Sequence, residues 1–144
     1  MGYEVTMFVV QHRAGHESCK DGWCNMIGML DLSKPDYDGK VCNIIAKYHE
    51  ALKNTPKIKR PFWYDDYGKK EFKITEDKYG DGLPLIPIQE FLDALKDDNA
   101  QYRIDEGQTY RRYDAAIALL ESFFSNKWEH EIGRGWIHVI PYGH

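Results

Sequence analysis

The chain has 144 residues, of which 42% are hydrophobic and 29% are charged. This length and balance are typical of one folded domain, residues 1–144. They exclude a disordered chain and a protein built of membrane-spanning helices. The net charge of −4 argues against a general nucleic-acid binder, because affinity for phosphate backbones comes mostly from lysine and arginine.

The N-terminal part of the chain is predicted to form a β-hairpin. The stretch from Tyr3 to Val10 alternates and is rich in valine and phenylalanine, which favours a strand. A second strand is expected from Trp23 to Leu32. The long polar stretch between the two strands then becomes the hairpin loop.

Helix signals follow this hairpin. Ser33-Lys34-Pro35-Asp36 combines a turn with residue types that cap helices, and apolar residues then repeat at helical spacing. The apolar face of this first predicted helix consists of Val41, Ile44, Ile45, Tyr48 and Leu52.

Two short strands and a second helix are expected in the middle of the chain. The segments 62–64 and 71–75 flank Asp66-Tyr67-Gly68, which is typical of a hairpin turn. Pro87 suits the first turn of a helix, because its missing N–H costs nothing there. The apolar stripe of that helix consists of Ile88, Phe91, Leu92 and Leu95.

The last predicted elements are a third helix and a closing strand. Thr109 is a suitable cap for a helix that runs to about Asn126, and the strand extends from Gly135 to Ile140 and ends before Pro141. The whole order predicts a single α+β domain, with an antiparallel β-sheet of about four to five strands packed with about three α-helices.

Three cysteines, an odd number, favour reduced thiols over a disulfide framework. The first residues carry no basic segment of the kind that opens a signal peptide. Both observations predict a cytoplasmic protein.

One loop holds four side chains of the metal-ligand type. His12, His16, Cys19 and Cys24 follow the spacing H-x3-H-x2-C-x4-C, and imidazole and thiolate both suit tetrahedral zinc. Zinc ribbons, however, usually hold cysteines in closer pairs, and Cys24 would face the core if it lies in the second strand. The alternatives are therefore a zinc site and a solvated hairpin loop.

Signatures of known catalytic sites are missing from the sequence. His49-Glu50 begins a zinc-protease motif, but position 53, where the second histidine belongs, is Lys53. The sequence also lacks a nucleophile elbow, a P-loop and a dinucleotide-binding glycine pattern. These observations favour a protein that binds over an enzyme.

Charge is unevenly distributed along the chain. Seven basic and three acidic residues lie between Lys53 and Lys73, a local charge of +4. Nine acidic and three basic residues lie between Glu76 and Glu106, a local charge of −6. A surface with patches of both signs suits a specific protein partner, and ordinary solvated faces are the alternative.

Aromatic and basic residues cluster in two places. The first cluster, around the predicted hairpin of residues 57–70, contains Arg60, Phe62, Trp63, Tyr64 and Tyr67. The second contains Tyr102, Arg103, Tyr110, Arg111, Arg112 and Tyr113. Such residues dominate protein–protein hot spots and also stack on nucleotides. Many of the rings could instead belong to the core, Tyr113 above all because it continues the apolar stripe of the third helix.

Four phrases of the sequence carry a resemblance to a known group of proteins: MLDLSKPDYDG, ITEDKYGDGLPLIPIQEFLDALKDD, YRRYDAAIALLESF and VIPYGH. Taken in this order, they resemble small accessory proteins encoded by tailed bacteriophages. The resemblance implies a non-virion protein made in the cytoplasm of the infected bacterium, where such proteins often bind a host factor or inhibit a host defence. It brings no catalytic motif.

Three functional hypotheses follow. The first is a non-catalytic accessory protein that binds a host protein through residues 57–70 and the acidic helix near residues 90–98. The second is a protein that binds a small ligand or a nucleotide signal in a pocket made by the same tyrosines and arginines. The third is a zinc-binding module or metal-dependent hydrolase built on the loop of residues 12–24.

Overall fold

The computed structural model describes residues 4–13, 16, 23–32, 57–59, 73–103 and 105–144. The α+β class predicted from the sequence is confirmed. In chain order the described strands and helices are β1 (Val5–Gln11), β2 (Trp23–Asp31), β3 (Lys57–Lys59), β4 (Lys73–Ile74), β5 (Ile86–Pro87), α1 (Ile88–Asp97), β6 (Gln101–Arg103), β7 (Thr109–Arg111), α2 (Asp114–Ser122), α3 (Glu129–Gly133) and β8 (Ile137–Gly143). Two short 3₁₀ turns, Asp105–Gly107 and Phe123–Ser125, complete the described elements.

Within the described residues, the main sheet has six strands in the order β4-β3-β2-β1-β8-β5, and β6 and β7 form a separate pair. Antiparallel pairing dominates the sheet, and only β2 and β3 run parallel among these strands. The predicted hairpin of the first two strands is confirmed, since β1 and β2 pair antiparallel with Val9 opposite Gly28.

Strand β1 lies at the centre of the sheet and has two buried faces. Side chains alternate between the faces of a strand, so Val5, Met7 and Val9 join one apolar cluster and Phe8 and Val10 join another. Helices α1 and α2 contribute to the first cluster, whereas the second gathers apolar residues of β2, β8 and the segment before β5.

Helix α1 forms where the sequence predicts it. Pro87 occupies the N-cap with an extended ψ of 136°, and its fixed φ leads the chain from β5 into the first turn. All four residues of the predicted apolar stripe are buried against the sheet. The opposite face carries Glu90, Asp93, Lys96 and Asp97, which are exposed.

The predicted start of the third helix is wrong. Thr109 lies in strand β7, paired with Arg103, and helix α2 begins only at Asp114. The helix was expected because of its apolar spacing, and this spacing starts only at Tyr113. It therefore does not constrain the conformation of Thr109–Arg111. Pairing with β6 therefore decides their conformation.

The closing strand is longer than predicted and includes a proline. Strand β8 continues through Pro141 to Gly143, although Pro141 lacks the N–H of a ladder residue. Strand β5 pairs with β8 only at Val139 and His138, so Pro141 interrupts no pairing with β5.

Several predictions concern residues outside the described ranges. The first helix, over residues 41–52, and the strand over residues 62–64 lie there. Within the predicted strand 71–75, residues Lys73–Ile74 form β4. This strand pairs with β3, and a strand at the position of β3 was not predicted from the sequence. In the part of the chain that the structure describes, no helix has both the length and the apolar character needed to cross a membrane.

Candidate interaction surface

Strands β6 and β7 form a two-stranded antiparallel ribbon, which we call the 101–111 ribbon. Gln101 lies opposite Arg111, and Arg103 lies opposite Thr109. The turn between the strands contains Glu106 and Gly107 with φ of 64° and 77°, the left-handed conformation that closes tight hairpins. Among the described residues, each strand of the ribbon pairs only with the other.

One face of the ribbon is basic and polar. Register places Gln101, Arg103, Thr109 and Arg111 on this face, and the Gln101 side-chain amide donates to the Thr109 hydroxyl at 2.9 Å. Arg103 and Arg111 are exposed, and neither makes an ion pair with any residue that the structure describes. Two guanidinium groups are therefore exposed, and no charge among the described residues compensates them.

The opposite face of the ribbon carries Tyr110 in strand β7. Tyr110 keeps 43% of its surface accessible, and all three residues of β7 are exposed. A strand that belongs to a core normally buries at least one face. Packing among the described residues therefore does not account for the exposed arginines of this ribbon.

The base of the ribbon is fixed by hydrogen bonds. The Asn99 side-chain oxygen accepts from the Tyr113 backbone N–H at 2.7 Å, and its amide donates to Asp114 at 3.0 Å. The Arg112 backbone N–H donates to the Ala100 carbonyl at 3.0 Å. These bonds connect the base of both strands to the C-terminal end of α1 and the N-terminal end of α2. They therefore fix the orientation of the ribbon relative to the two helices.

Arg112, predicted together with Arg111 as a binding residue, lies inside the fold. Only 4% of its surface is accessible, its guanidinium is 3.9 Å from Asp98 and it lies over the Tyr113 ring at 5.5 Å. Tyr113 is buried as well. The predicted second cluster is thus divided between an exposed ribbon and a buried base.

The first predicted cluster cannot be placed beside this surface. Arg60, Phe62, Trp63, Tyr64 and Tyr67 all lie outside the described residues. Their role in binding, and the ligand pocket that the second hypothesis requires, stay predictions.

Two of the four predicted metal ligands lie close together. The Cys24 Sγ atom is 3.7 Å from His12 Nδ1, which also lies 3.2 Å from the Trp23 carbonyl. His16 is exposed, and Cys19 lies outside the described residues. No three His, Cys, Asp or Glu side chains of the described chain are arranged to hold a metal ion. The zinc site therefore stays a prediction.

His138 is a further imidazole near this pair. Its ring centroid is 6.4 Å from that of His12, on the neighbouring strand β8. Burial, and to a smaller extent the charge of His12, lower the pKa of His138 from 6.5 to about 4, so the His138 ring is neutral at physiological pH. Cys24 is fully buried, which is typical of an unreactive structural thiol.

A partly buried ion pair connects α3 to the same end of the sheet. Glu131 accepts hydrogen bonds from Arg13 Nε, at 2.9 Å, and from the Gln11 side chain. The bond from Arg13 is the largest cause that lowers the pKa of the Glu131 carboxyl. Because Glu131 compensates the charge of Arg13, this end of the sheet offers less uncompensated charge than the ribbon.

Comparison of the chain with protein-family models, with curated proteins and with solved structures gives no match.

The sequence contains a signal for the ribbon that the helical interpretation overlooked. Tyr102-Arg103 and Thr109-Tyr110-Arg111 are short runs of strand-forming residues, and Asp105-Glu106-Gly107 between them is typical of a turn. Two runs of this kind around a glycine are as strong a signal for a hairpin as Thr109 is for a helix cap.

Proposed function

We propose that this protein is a non-catalytic binding module that attaches to a host bacterial protein through the 101–111 ribbon. The observation that supports this function is the exposure of the basic ribbon face, with Arg103 and Arg111 uncompensated by the described residues. Arginine is enriched at the energetic centres of protein interfaces, and the described core gives no other use for Arg103 and Arg111.

The setting that we propose for the module rests on the sequence. The resemblance to accessory proteins of tailed bacteriophages supports a role in the cytoplasm of an infected bacterium, in host takeover or in inhibition of a defence. Such a role requires a surface that recognises one host protein and needs no reaction. The absence of known catalytic motifs from the sequence agrees with it.

A protein partner fits the ribbon better than a nucleic acid does. The turn at its tip carries Asp105 and Glu106, and the chain as a whole has a charge of −4. Phosphate groups would be repelled at the tip, the part of a ribbon that enters a groove first. A protein can instead offer carboxylates to the arginines and avoid the tip.

The test is affinity capture from a bacterial lysate with three forms of the protein. These are the unchanged chain, Arg103→Ala/Arg111→Ala, and the charge-matched control Lys127→Ala/Arg134→Ala, whose exposed residues belong to neither ribbon strand. We expect one host protein to be captured by the first and third forms and lost from the second. Its affinity is then measured by calorimetry with purified components.

Two outcomes would overturn the proposal. Capture of the same proteins by all three forms would show that the ribbon is not the binding surface. Loss of capture after nuclease treatment would show that the ligand is a nucleic acid.

A further inference from the structure

The backbone of the ribbon has hydrogen-bonding groups on its outer edges. The bond from the Arg112 N–H to the Ala100 carbonyl marks residues 100 and 112 as a hydrogen-bonded pair. Such pairs alternate with pairs whose N–H and C=O groups point away from the partner strand. By this alternation Tyr102 and Tyr110 bond to each other, whereas residues 101, 103, 109 and 111 turn their backbone groups outward.

The outward backbone groups and the basic side chains therefore belong to the same residues. On the outer edge of β7, Thr109 and Arg111 offer two N–H and two C=O groups. Their side chains lie on the face that also carries Arg103. An extended segment added at this edge would gain backbone hydrogen bonds and would place its own alternate side chains beside the arginines.

We propose that the outer edge of β7 takes up an extended acidic segment of the partner protein as a third strand. This inference rests on the proposed function and specifies the chemistry of the partner. The segment carries acidic residues at alternate positions. One carboxylate lies opposite Arg111, and the next lies opposite Thr109, where the hydroxyl and the guanidinium of Arg103 reach it.

Spacing supports this match. Alternate residues of a strand are about 6.8 Å apart on one face, and directly opposed residues on neighbouring strands are about 5 Å apart. Arg103 lies directly across the ribbon from Thr109, and Arg111 lies two residues along β7. Acidic residues separated by one position thus meet one arginine each, whereas consecutive acidic residues would place half of their carboxylates on the face of Tyr110.

Charge and hydrogen bonding contribute differently to the binding. Each carboxylate–guanidinium pair forms charge-assisted hydrogen bonds, which are stronger than neutral ones, and the pairs select acidic segments. Backbone bonds do not depend on the side chains, and they fix the register and direction of the added strand. Acidic segments that cannot form a strand would therefore bind weakly.

The test uses three short peptides of identical composition, built of glutamate and valine. In the first peptide the two residues alternate, and in the second the glutamates are consecutive. The third peptide repeats the first, but the backbone nitrogens of its glutamates, which would bond to β7, are methylated. Affinity is measured by fluorescence anisotropy, and amide hydrogen exchange of the protein is followed by NMR.

We expect the alternating peptide to bind more tightly than the other two and to slow exchange of the Thr109 and Arg111 amides. Exchange of the Tyr110 amide stays unchanged, because that amide already bonds within the ribbon. Arg111→Ala weakens binding about tenfold, the loss of one charge-assisted pair, and Lys127→Ala leaves the affinity unchanged.

Equal binding of the methylated peptide would overturn strand addition and leave only attraction of charge. Binding of a short DNA duplex in place of the peptide, with the same dependence on Arg111, would also overturn the proposal. If the peptides fail while a host protein is still captured through Arg103 and Arg111, protein binding stands and strand addition falls.

Discussion

Strand β1 and the 101–111 ribbon are both antiparallel β-structure, yet their environments are opposite. The first six residues of β1 are buried, whereas every residue of β7 is exposed. In β1 the packing of two apolar clusters explains the five apolar side chains. In the ribbon, packing among the described residues explains the base but not the exposed arginines. The comparison therefore separates residues that serve the fold from residues available for another molecule.

The same comparison separates the sources of stability. An isolated two-stranded hairpin is marginally stable in water, because it buries little apolar surface. The ribbon depends on its base, where the Asn99 side chain and the Arg112 backbone join it to the helices. Changes in the sheet centre should therefore reduce stability and leave binding intact once the chain is folded, and changes in the exposed part of the ribbon should do the reverse.

The largest expected effect is at Phe8, whose side chain is fully buried. Phe8→Ala should lower the free energy of unfolding by about 3–5 kcal/mol, because it removes a large apolar group and leaves a cavity. Urea unfolding followed by circular dichroism measures this loss. A change below about 1 kcal/mol would mean that the second cluster is not packed as described.

The next largest effect depends on pH and concerns His138. Its folded pKa of about 4 lies below the ordinary value of 6.5, so below pH 6.5 the unfolded chain binds a proton that the folded chain does not. Stability should fall as pH decreases from 6.5 to about 4, by ~3 kcal/mol in total, and then level off for this group.

Urea unfolding of the unchanged chain and of His138→Gln, at a series of pH values, checks this prediction. The variant should lose most of the dependence above pH 4.5. Glu131 has a lowered pKa, so its contribution to stability is lost below its ordinary value of 4.5, and the two proteins are therefore compared above pH 4.5. Identical slopes for the two proteins would show that His138 titrates normally.

A smaller effect is expected at Gly28, where the sheet approaches a 3₁₀ turn. A Cβ atom at this position would lie 3.1 Å from the Phe123 ring and 3.5 Å from Val9. Gly28→Ala should therefore cost about 1–3 kcal/mol through overpacking. Gly133→Ala is the control, since its Cβ would meet no atom within 4 Å beyond its chain neighbours and the backbone of its own helix. Thermal unfolding of both variants compares them, and equal melting temperatures would contradict the close contact.

The smallest effect on stability is expected in the ribbon. Arg111→Ala and Tyr110→Ala should each change the free energy of unfolding by less than about 0.5 kcal/mol, as exposed substitutions usually do. Their effect should appear in partner affinity instead. A loss of stability as large as that of Gly28→Ala would place these side chains in the fold and weaken the case for an interaction surface.

Sequence periodicity predicted the centre of the molecule better than its surface. The strands β1 and β2 and the helix α1 follow from runs of seven to ten residues with a clear repeat. The ribbon strands have three residues each, too few for a repeat to show, and the apolar residues after Arg111 favour a helix. Tertiary contacts at Asn99 and Asp98 decide between the two structures.

The candidate site was predicted only in part, for a related reason. Arg111 and Arg112 are adjacent residues of the same type, and the sequence predicts both of them as binding residues. Arg112 is buried because it follows the last ribbon position and lies beside Asp98 at the end of α1. Only the fold distinguishes the arginine that supports the ribbon from the one that faces solvent.

The pairing of β1 with β8 has a consequence for the order of events during synthesis. Val5–Gln11 leaves the ribosome long before one of its two neighbours, Ile137–Gly143, has been made. Until then the most apolar strand of the sheet lacks half of its hydrogen-bond partners. The centre of the sheet therefore closes late, and a nascent chain halted before β8 would expose β1 to aggregation or to chaperones.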